Sequence, residues 1–282
     1  MSIVVTGATG HLGRLIVESL LRRGVPANEI LALGRDVAKA ADLAERGVIV
    51  KPADYNNVDS LRAAFAGASK LMFVSGSEAG QRLPQHRNVL AAAKDAGVGL
   101  VVYTSIANAD TSSLALAAEH KATEQEIGAS GLPYVFLRNS WYMENYTGQL
   151  PTYLEYGILG AAGDGKVSAA TRADFAEAAA AVLTADGHTN QTYELGGAPF
   201  TMAEVAAEVS RQSGKQITYT DLPVEKYTEV LIGAGLPEPF AAMLADGDRG
   251  LAKGELYVEG NDLEKLIGRP PTSLADAVRA AL

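Results

Sequence analysis

The chain has 282 residues, 48% of them hydrophobic, which is enough for one large domain or two smaller ones sharing a cleft and too apolar for global disorder. Its net charge of -9 is the wrong sign for gripping a nucleic-acid backbone, although a small basic pocket for one phosphorylated ligand stays open. Cysteine is absent, which excludes disulfides, thiolate metal sites, iron–sulfur clusters and a cysteine nucleophile.

Met1 leads almost at once into an apolar run too short to span a membrane, and no basic stretch precedes it as in a signal peptide. The expectation is a soluble cytoplasmic protein with no membrane insertion. Residues 2–6 read as a strand, followed by a Gly-rich turn and a helix over 12–23 whose Leu12, Leu15, Ile16 and Leu20 recur at helical spacing. Gly24 closes that helix and Pro26 prevents its continuation. The next strand covers 30–33, and Asp36 is placed to cap a helix beginning near Val37. Strands are predicted at 48–51, 71–75, 100–104 and 134–137, with helices over 58–65, 84–96 and 114–129 between them. Strict alternation of this kind implies a parallel sheet covered by helices on both faces.

After Arg138 the rhythm breaks. A polar aromatic stretch, 139-NSWYMENY-146, reads as irregular, and 160-GAAGDGK-166 as a turn. A helix over 173–183 and a strand at 192–195 can rejoin the sheet. Thr201 and Glu204 match a capping box at the start of another helix, followed by a short strand near 217–220 and further helices. The expected architecture is α/β: a Rossmann-type doubly wound parallel sheet with a smaller, mostly C-terminal α/β part forming a cleft. The nucleotide domain covers 1–150, rejoined by about 166–196; the smaller part comprises 151–165 and 197–282.

The segment 6-TGATGHLG-13 sets Gly7, Gly10 and Gly13 three apart between the first strand and the first helix. Gly7 allows the tight turn, Gly10 lets backbone approach a pyrophosphate, and Gly13 lets helix and strand pack closely. Ala8, Thr9, His11 and Leu12 complete the candidate cofactor loop. Cofactor choice turns on the end of the second strand, 32-ALGRD-36. Gly34 stands where an NAD site places its carboxylate, and Arg35 offers a forked guanidinium for a 2′-phosphate, so NADPH is favoured over NADH. An exposed arginine beside a helix cap is the plainer reading of the same residues. Asp54 is a candidate for the adenine amino group or a simple helix cap. Ser75, Gly76, Ser77, Thr104 and Ser105 lie at strand ends, where ligands of open α/β sheets bind and where hydroxyls also make turns.

Reductases of this build usually carry a Tyr-x-x-x-Lys pair supplying the catalytic acid. Here 117-AAEHKATEQE-126 offers His120, Lys121 and Glu124 instead. Ketone reduction generates an alkoxide, close to hydroxide in basicity, with a conjugate pKa of about 16. A quinone that accepts hydride becomes a phenolate, with a conjugate pKa of roughly 10. The difference is roughly 8 kcal/mol less charge to stabilise, so positioning alone can suffice. The missing tyrosine therefore argues against alcohols and ketones, not against an enzyme. The segment 119-EHKATEQE-126 reads most simply as a charged, solvated helix face, and no catalytic residue is assigned. The four histidines lack metal-ligand spacing, and no flavin signature is present, so neither metal nor flavin is expected.

With TGATGHLG, Arg35, 84-PQHRNVLAAAKDAGV-98, 138-RNSWYMENY-146, 160-GAAGDGKVSAATRADF-175 and the tail from 252-AKGELY to RPPTSL-274 in view, the chain resembles the NmrA-like atypical short-chain dehydrogenase/reductases. Within that group it is most similar to bacterial NAD(P)H:quinone oxidoreductases, with triphenylmethane reductases close by. The resemblance implies NADPH in the Rossmann domain and a quinone in the cleft over the nicotinamide. It implies that Asn139, Ser140, Trp141, Tyr142, Met143 and Glu144 line the nicotinamide end, with Thr171 and Arg172 closing that side. Trp141, Tyr142 and Tyr146 are candidates for stacking on a planar acceptor, or ordinary core aromatics. A non-catalytic NADP(H)-binding sensor of the NmrA type, or a reductase of triphenylmethane or azo dyes, is the alternative. A small-molecule quinone is the expected partner; a homodimer is allowed, and nucleic acid is not expected.

Overall fold

Short runs of β-branched and other apolar residues supply the strands β1 (Ile3–Val5), β2 (Ile30–Gly34), β3 (Ile49–Pro52), β4 (Lys70–Phe73), β5 (Leu100–Ile106), β6 (Tyr134–Asn139), β7 (Ile158–Gly160), β8 (Gln191–Leu195) and β9 (Tyr219–Asp221). The computed structural model describes residues 2–78 and 80–282. Seven strands form one parallel sheet in the order β3-β2-β1-β4-β5-β6-β8, with Val4 opposite Leu31 on one side and Leu71 on the other. β7 and β9 pair as a separate parallel ribbon.

Every residue of β1, β2 and β5 is buried, because helices cover both faces of the sheet. The helices are α1 (His11–Arg22), α2 (Ala41–Glu45), α3 (Val58–Phe65), α4 (Arg82–Asp95), α5 (Ala115–Ala129), α6 (Glu144–Thr147), α7 (Leu150–Tyr156), α8 (Arg172–Thr184), α9 (Met202–Ser213), α10 (Val224–Gly233), α11 (Glu238–Ala252), α12 (Asp262–Ile267) and α13 (Leu274–Ala281). On one face Ile16 and Leu20 of α1 meet Phe175 and Val182 of α8, and Leu263 and Ile267 of α12 join them. On the other, Leu61 and Phe65 of α3 and Val89 of α4 pack with Phe73 and Tyr103. Each fully buried side chain of this size contributes about 1.5–3 kcal/mol. A further core gathers Leu114, Tyr146, Ile158, Phe200, Val205, Val209 and Leu251 beyond the sheet's carboxyl edge.

Three local details differ from expectation. Asp36 does cap, accepting from the Ala38 N–H at 3.2 Å, but it opens a 3-10 turn over Val37–Ala40 that precedes the short α2. The aromatic segment after β6 is not irregular throughout, since α6 begins at Glu144 and α7 comes soon after it. β7 ends where the Gly-rich turn begins, and only pairing with β9 reveals it as a strand. The Thr201 capping box forms in both directions, at 3.2 and 2.7 Å. Among the described residues no helix is long and apolar enough to cross a membrane.

Asp248 of α11 ties that helix to the end of β7 by accepting from the Ala161 N–H at 2.8 Å. Burial raises its carboxyl to about 6. A folded-state value above the unfolded one means the proton favours the native state, so this contribution is full at low pH and lost as pH rises through 6. We therefore expect the stability of Asp248→Asn relative to wild type to improve by roughly 2–3 kcal/mol between pH 4 and pH 7, read by urea unfolding. A gap that does not change with pH would contradict this.

Candidate active site

β1 and β4 are neighbours, yet the chain leaves them toward opposite edges of the sheet, which opens a crevice at their carboxyl ends. A cavity of about 580 Å³ fills it. It runs from Gly34 and Arg35 at the end of β2, past the glycine loop, to Ser105 of β5 and Asn139 of β6.

The glycine loop builds the floor. Gly7 takes a positive φ of +62°, and a Cβ on Gly13 would stand 2.3 Å from the Gly7 carbonyl oxygen, so α1 rests directly on the turn. No side chain caps α1, leaving first-turn N–H groups for a ligand at the positive end of the helix dipole. Thr9, Gly10, His11, Leu12 and Gly13 line the cavity with Gly7, whereas Ala8 faces the core and donates its N–H to Leu33 at 2.8 Å. A Cβ on Gly34 would come within 2.4 Å of the Thr9 hydroxyl, so a carboxylate-bearing residue cannot take that place unless Thr9 moves. Arg35 is 65% exposed and paired with Glu78 at 2.6 Å. Asp54 lines the cavity, while the cap of α3 comes from Asn57, which accepts from the Ser60 N–H at 3.1 Å.

At the opposite end Ser75, Gly76 and Ser77 line the wall, together with Ser105, Asn139, Ser140, Trp141 and Tyr142. The Ser105 hydroxyl and the Asn139 side-chain amide oxygen Oδ1 are buried without a hydrogen-bond partner among the described residues. Thr104 sits behind the wall, its hydroxyl accepting from the Ser75 N–H at 2.8 Å. Met143, Glu144, Thr171 and Arg172 are likewise off the lining. Met143 is buried in the second core, and Thr171 caps α8. The Glu144 carboxylate accepts from the Arg172 N–H at 2.9 Å, and the Arg172 guanidinium lies 4.4 Å over the Tyr142 ring, backing it from behind. Tyr146 packs against Phe200 in the second core, with ring centres 5.8 Å apart, and does not reach the cavity.

The charged segment of α5 is only in part a solvated face: Lys121 and Gln125 are exposed. His120, Thr123 and Glu124 are buried and in phase with Ala117 and Ile127, at helical spacing. That apolar phase was the signal in the sequence; the high charge of the segment obscured it. Lys121 does point outward, donating to the Asp110 carbonyl at 2.8 Å. Arg82, Gln85 and Tyr55 also line the cavity, and nothing local in the sequence marked them. Arg82 is buried, donating to the Gly76 carbonyl at 2.8 Å and to Glu119 at 2.6 Å. Burial, reinforced by the Arg82 charge, lowers His86 to about 3 and holds His120 well below the ordinary imidazole range. Among the described residues no group of three or more His, Cys, Asp or Glu could hold a metal ion.

The NmrA-like family model matches residues 1–274. Over 278 residues the chain is 50% identical to quinone oxidoreductase 2 of Escherichia coli strain K12, spanning 98% of this chain and 97% of that protein. The crystal structure of the Escherichia coli NADPH-dependent quinone oxidoreductase in complex with NADPH matches with a TM-score of 0.96 at 49% identity, covering 99% of either chain. Citrobacter sp. triphenylmethane reductase in complex with NADP(H) matches with a TM-score of 0.95 at 43% identity, covering 100% of both chains.

Proposed function

The chain belongs to the NmrA-like family, and from that premise we propose that it is an NADPH-dependent enzyme that reduces a quinone by direct hydride transfer. The observation that carries the reading is the crevice itself. One end offers a guanidinium where a 2′-phosphate would lie; the other offers unpartnered polar atoms beside aromatic walls.

NADPH fits these residues. The uncapped start of α1 suits its pyrophosphate, Arg35 its 2′-phosphate and Asp54 its adenine amino group. Ser75, Gly76 and Ser77 would line the path of the cofactor toward Ser105 and Asn139, whose free polar atoms suit the nicotinamide end. Bound there, the cofactor supplies the hydride. Trp141 and Tyr142 would flank the planar acceptor, with Ile106 and Leu116 keeping that end apolar. Thr104, Met143, Glu144, Thr171 and Arg172 support that wall from behind. α5 presents no Tyr-x-x-x-Lys pair, as suits a product anion that is a phenolate rather than an alkoxide.

Oxidation of NADPH by the purified protein, with and without a simple benzoquinone and beside an NADH control, tests the reading. Quinone-dependent turnover that favours NADPH is expected; tight NADPH binding without turnover would replace the enzyme by a sensor. Glu78 holds Arg35 in an exposed pair worth little in itself, so a phosphate can take its place. Arg35→Ala is expected to weaken NADPH by roughly 10–100-fold, the loss of one charge-assisted contact, and NADH by no more than about twofold. Titration of intrinsic fluorescence reads both, and equal losses would remove Arg35 from the phosphate site.

A further inference from the structure

His120 stands at the acceptor end of the cavity as a buried imidazole, 5% exposed, with its Nδ1 2.8 Å from the Tyr103 hydroxyl. The neighbouring hydrogen bonds assign the direction of that bond. Burial pushes the Tyr103 phenol up, so the hydroxyl keeps its proton and must donate it. Thr123 gives its own proton to the Glu119 carbonyl at 2.9 Å and accepts from His86 Nδ1 at 2.9 Å, while His86 Nε2 accepts from the Gly76 N–H at 3.0 Å. Thr123 keeps a second lone pair, but the 2.8 Å contact assigns the Tyr103 proton to Nδ1 of His120. A neutral imidazole that accepts at Nδ1 carries its hydrogen on Nε2.

The surroundings keep the ring neutral. Arg82 and His86 face it from α4 and Tyr103 from β5, while Glu119 and Glu124 share its own helix. Glu119 is engaged by Arg82 and Glu124 by Arg138, so neither carboxylate is free to support an imidazolium.

Resting on the quinone-reductase reading above, we propose that His120, acting as a neutral donor, holds by a hydrogen bond from Nε2 the quinone oxygen that becomes the phenolate. The C–H bond of the dihydronicotinamide breaks and its hydrogen, with the bonding electron pair, bonds to one quinone oxygen as a hydroxyl. The ring electrons shift so that the opposite oxygen, the one held by His120, becomes the phenolate while the nicotinamide is oxidised. The Nε2–H bond to that oxygen strengthens as the charge develops, without giving up its proton. The hydroquinone anion takes its proton from water on leaving, since its conjugate pKa is roughly 10.

The test compares acceptors. A cationic triphenylmethane dye takes hydride at carbon and gives a neutral product, with no oxygen that gains charge. His120→Leu is expected to lower kcat/KM for benzoquinone by roughly 30–100-fold while dye reduction and the NADPH Kd stay within about threefold. His120→Gln, which keeps an N–H near the Nε2 position, is expected to retain quinone reduction to within about tenfold. Equal losses on quinone and dye would make His120 a structural residue and overturn the proposal. Nitrogen-15 NMR of the wild-type histidines gives a readout independent of any variant: His120 should show the Nε2–H tautomer from about pH 5.5 to about pH 8.5. An Nδ1–H tautomer, or an imidazolium forming in that range, would also overturn it. Absence of quinone turnover by the wild type would instead sink the underlying functional reading, whereas normal turnover indifferent to His120→Leu would sink this inference alone.

Discussion

Gly13→Ala is expected to abolish measurable NADPH binding, with the Kd rising by at least about 100-fold. A methyl group at that position would stand 2.3 Å from the Gly7 oxygen, 2.6 Å from the Gly7 carbonyl carbon and 2.9 Å from the Ala8 nitrogen. All three are backbone atoms of the turn itself, so no side-chain rotation relieves the contact. α1 must lift off the loop, and its first-turn N–H groups then lose their aim at the pyrophosphate. Overpacking of this kind costs about 1–3 kcal/mol, which corresponds to a fall in Tm of roughly 5 °C. Gly128→Ala provides the control. That glycine lies within α5 with nothing within 4 Å of the added carbon. It should be neutral or stabilising by up to about 1 kcal/mol, with NADPH affinity unchanged. Fluorescence titration and thermal unfolding of the two variants decide the matter. A Gly13→Ala protein that binds NADPH like wild type would refute the account of the loop.

The largest loss of stability is expected from Arg138→Met. Arg138 of β6 forms a fork with Glu124, at 3.0 Å from Nε and 2.7 Å from Nη2, and reaches Glu194 of β8 at 3.0 Å. It thereby ties α5, β6 and β8 together. The Glu124 side chain is only 7% exposed. Burial holds the Glu194 carboxyl above its ordinary value even with the guanidinium beside it. Removing the cation leaves both carboxylates in a poorly solvated place, at a cost of about 3–5 kcal/mol. Glu194 also sets the pH dependence. Its carboxyl, already raised by burial, loses the cation that offsets that burial, so the deficit should shrink on acidification and be full at neutral pH. Glu124→Gln combined with Arg138→Met should recover part of the loss, because it removes one stranded charge. Urea unfolding of the single and double variants at two pH values measures all of this. A single-variant loss below about 1 kcal/mol would show that the network is dispensable.

Much of the fold was legible because its signals are local. α3 spans the predicted residues 58–65, and the Thr201 capping box forms as its spacing requires. The positive φ of Gly7 answers the need for a tight turn after β1. Alternating apolar runs announced the parallel sheet, and the residues quoted for the family resemblance led to the NmrA-like family. Cofactor class and reaction class came from the same kind of evidence. Gly34 and Arg35 are adjacent, and the lack of a Tyr-x-x-x-Lys pair is visible in one short stretch.

The features that stayed hidden depend on partners distant along the chain. Glu119 and Glu124 looked like a solvated face because their counter-ions, Arg82 and Arg138, arrive from α4 and β6. Tyr146 and Trp141 are close neighbours in one aromatic segment. Yet α6 turns Tyr146 into the second core while Trp141 keeps to the cavity wall. His120 acquires its role only from Tyr103, whose hydroxyl sets its tautomer across the gap between β5 and α5. Backbone conformation, capping and apolar periodicity are short-range properties, and a sequence carries them openly. Burial of a charge, the direction of a proton and the choice between core and cavity are decided only when strands and helices far apart in the chain close on one another. At that point desolvation makes most unpaired polar groups too costly to leave without a partner.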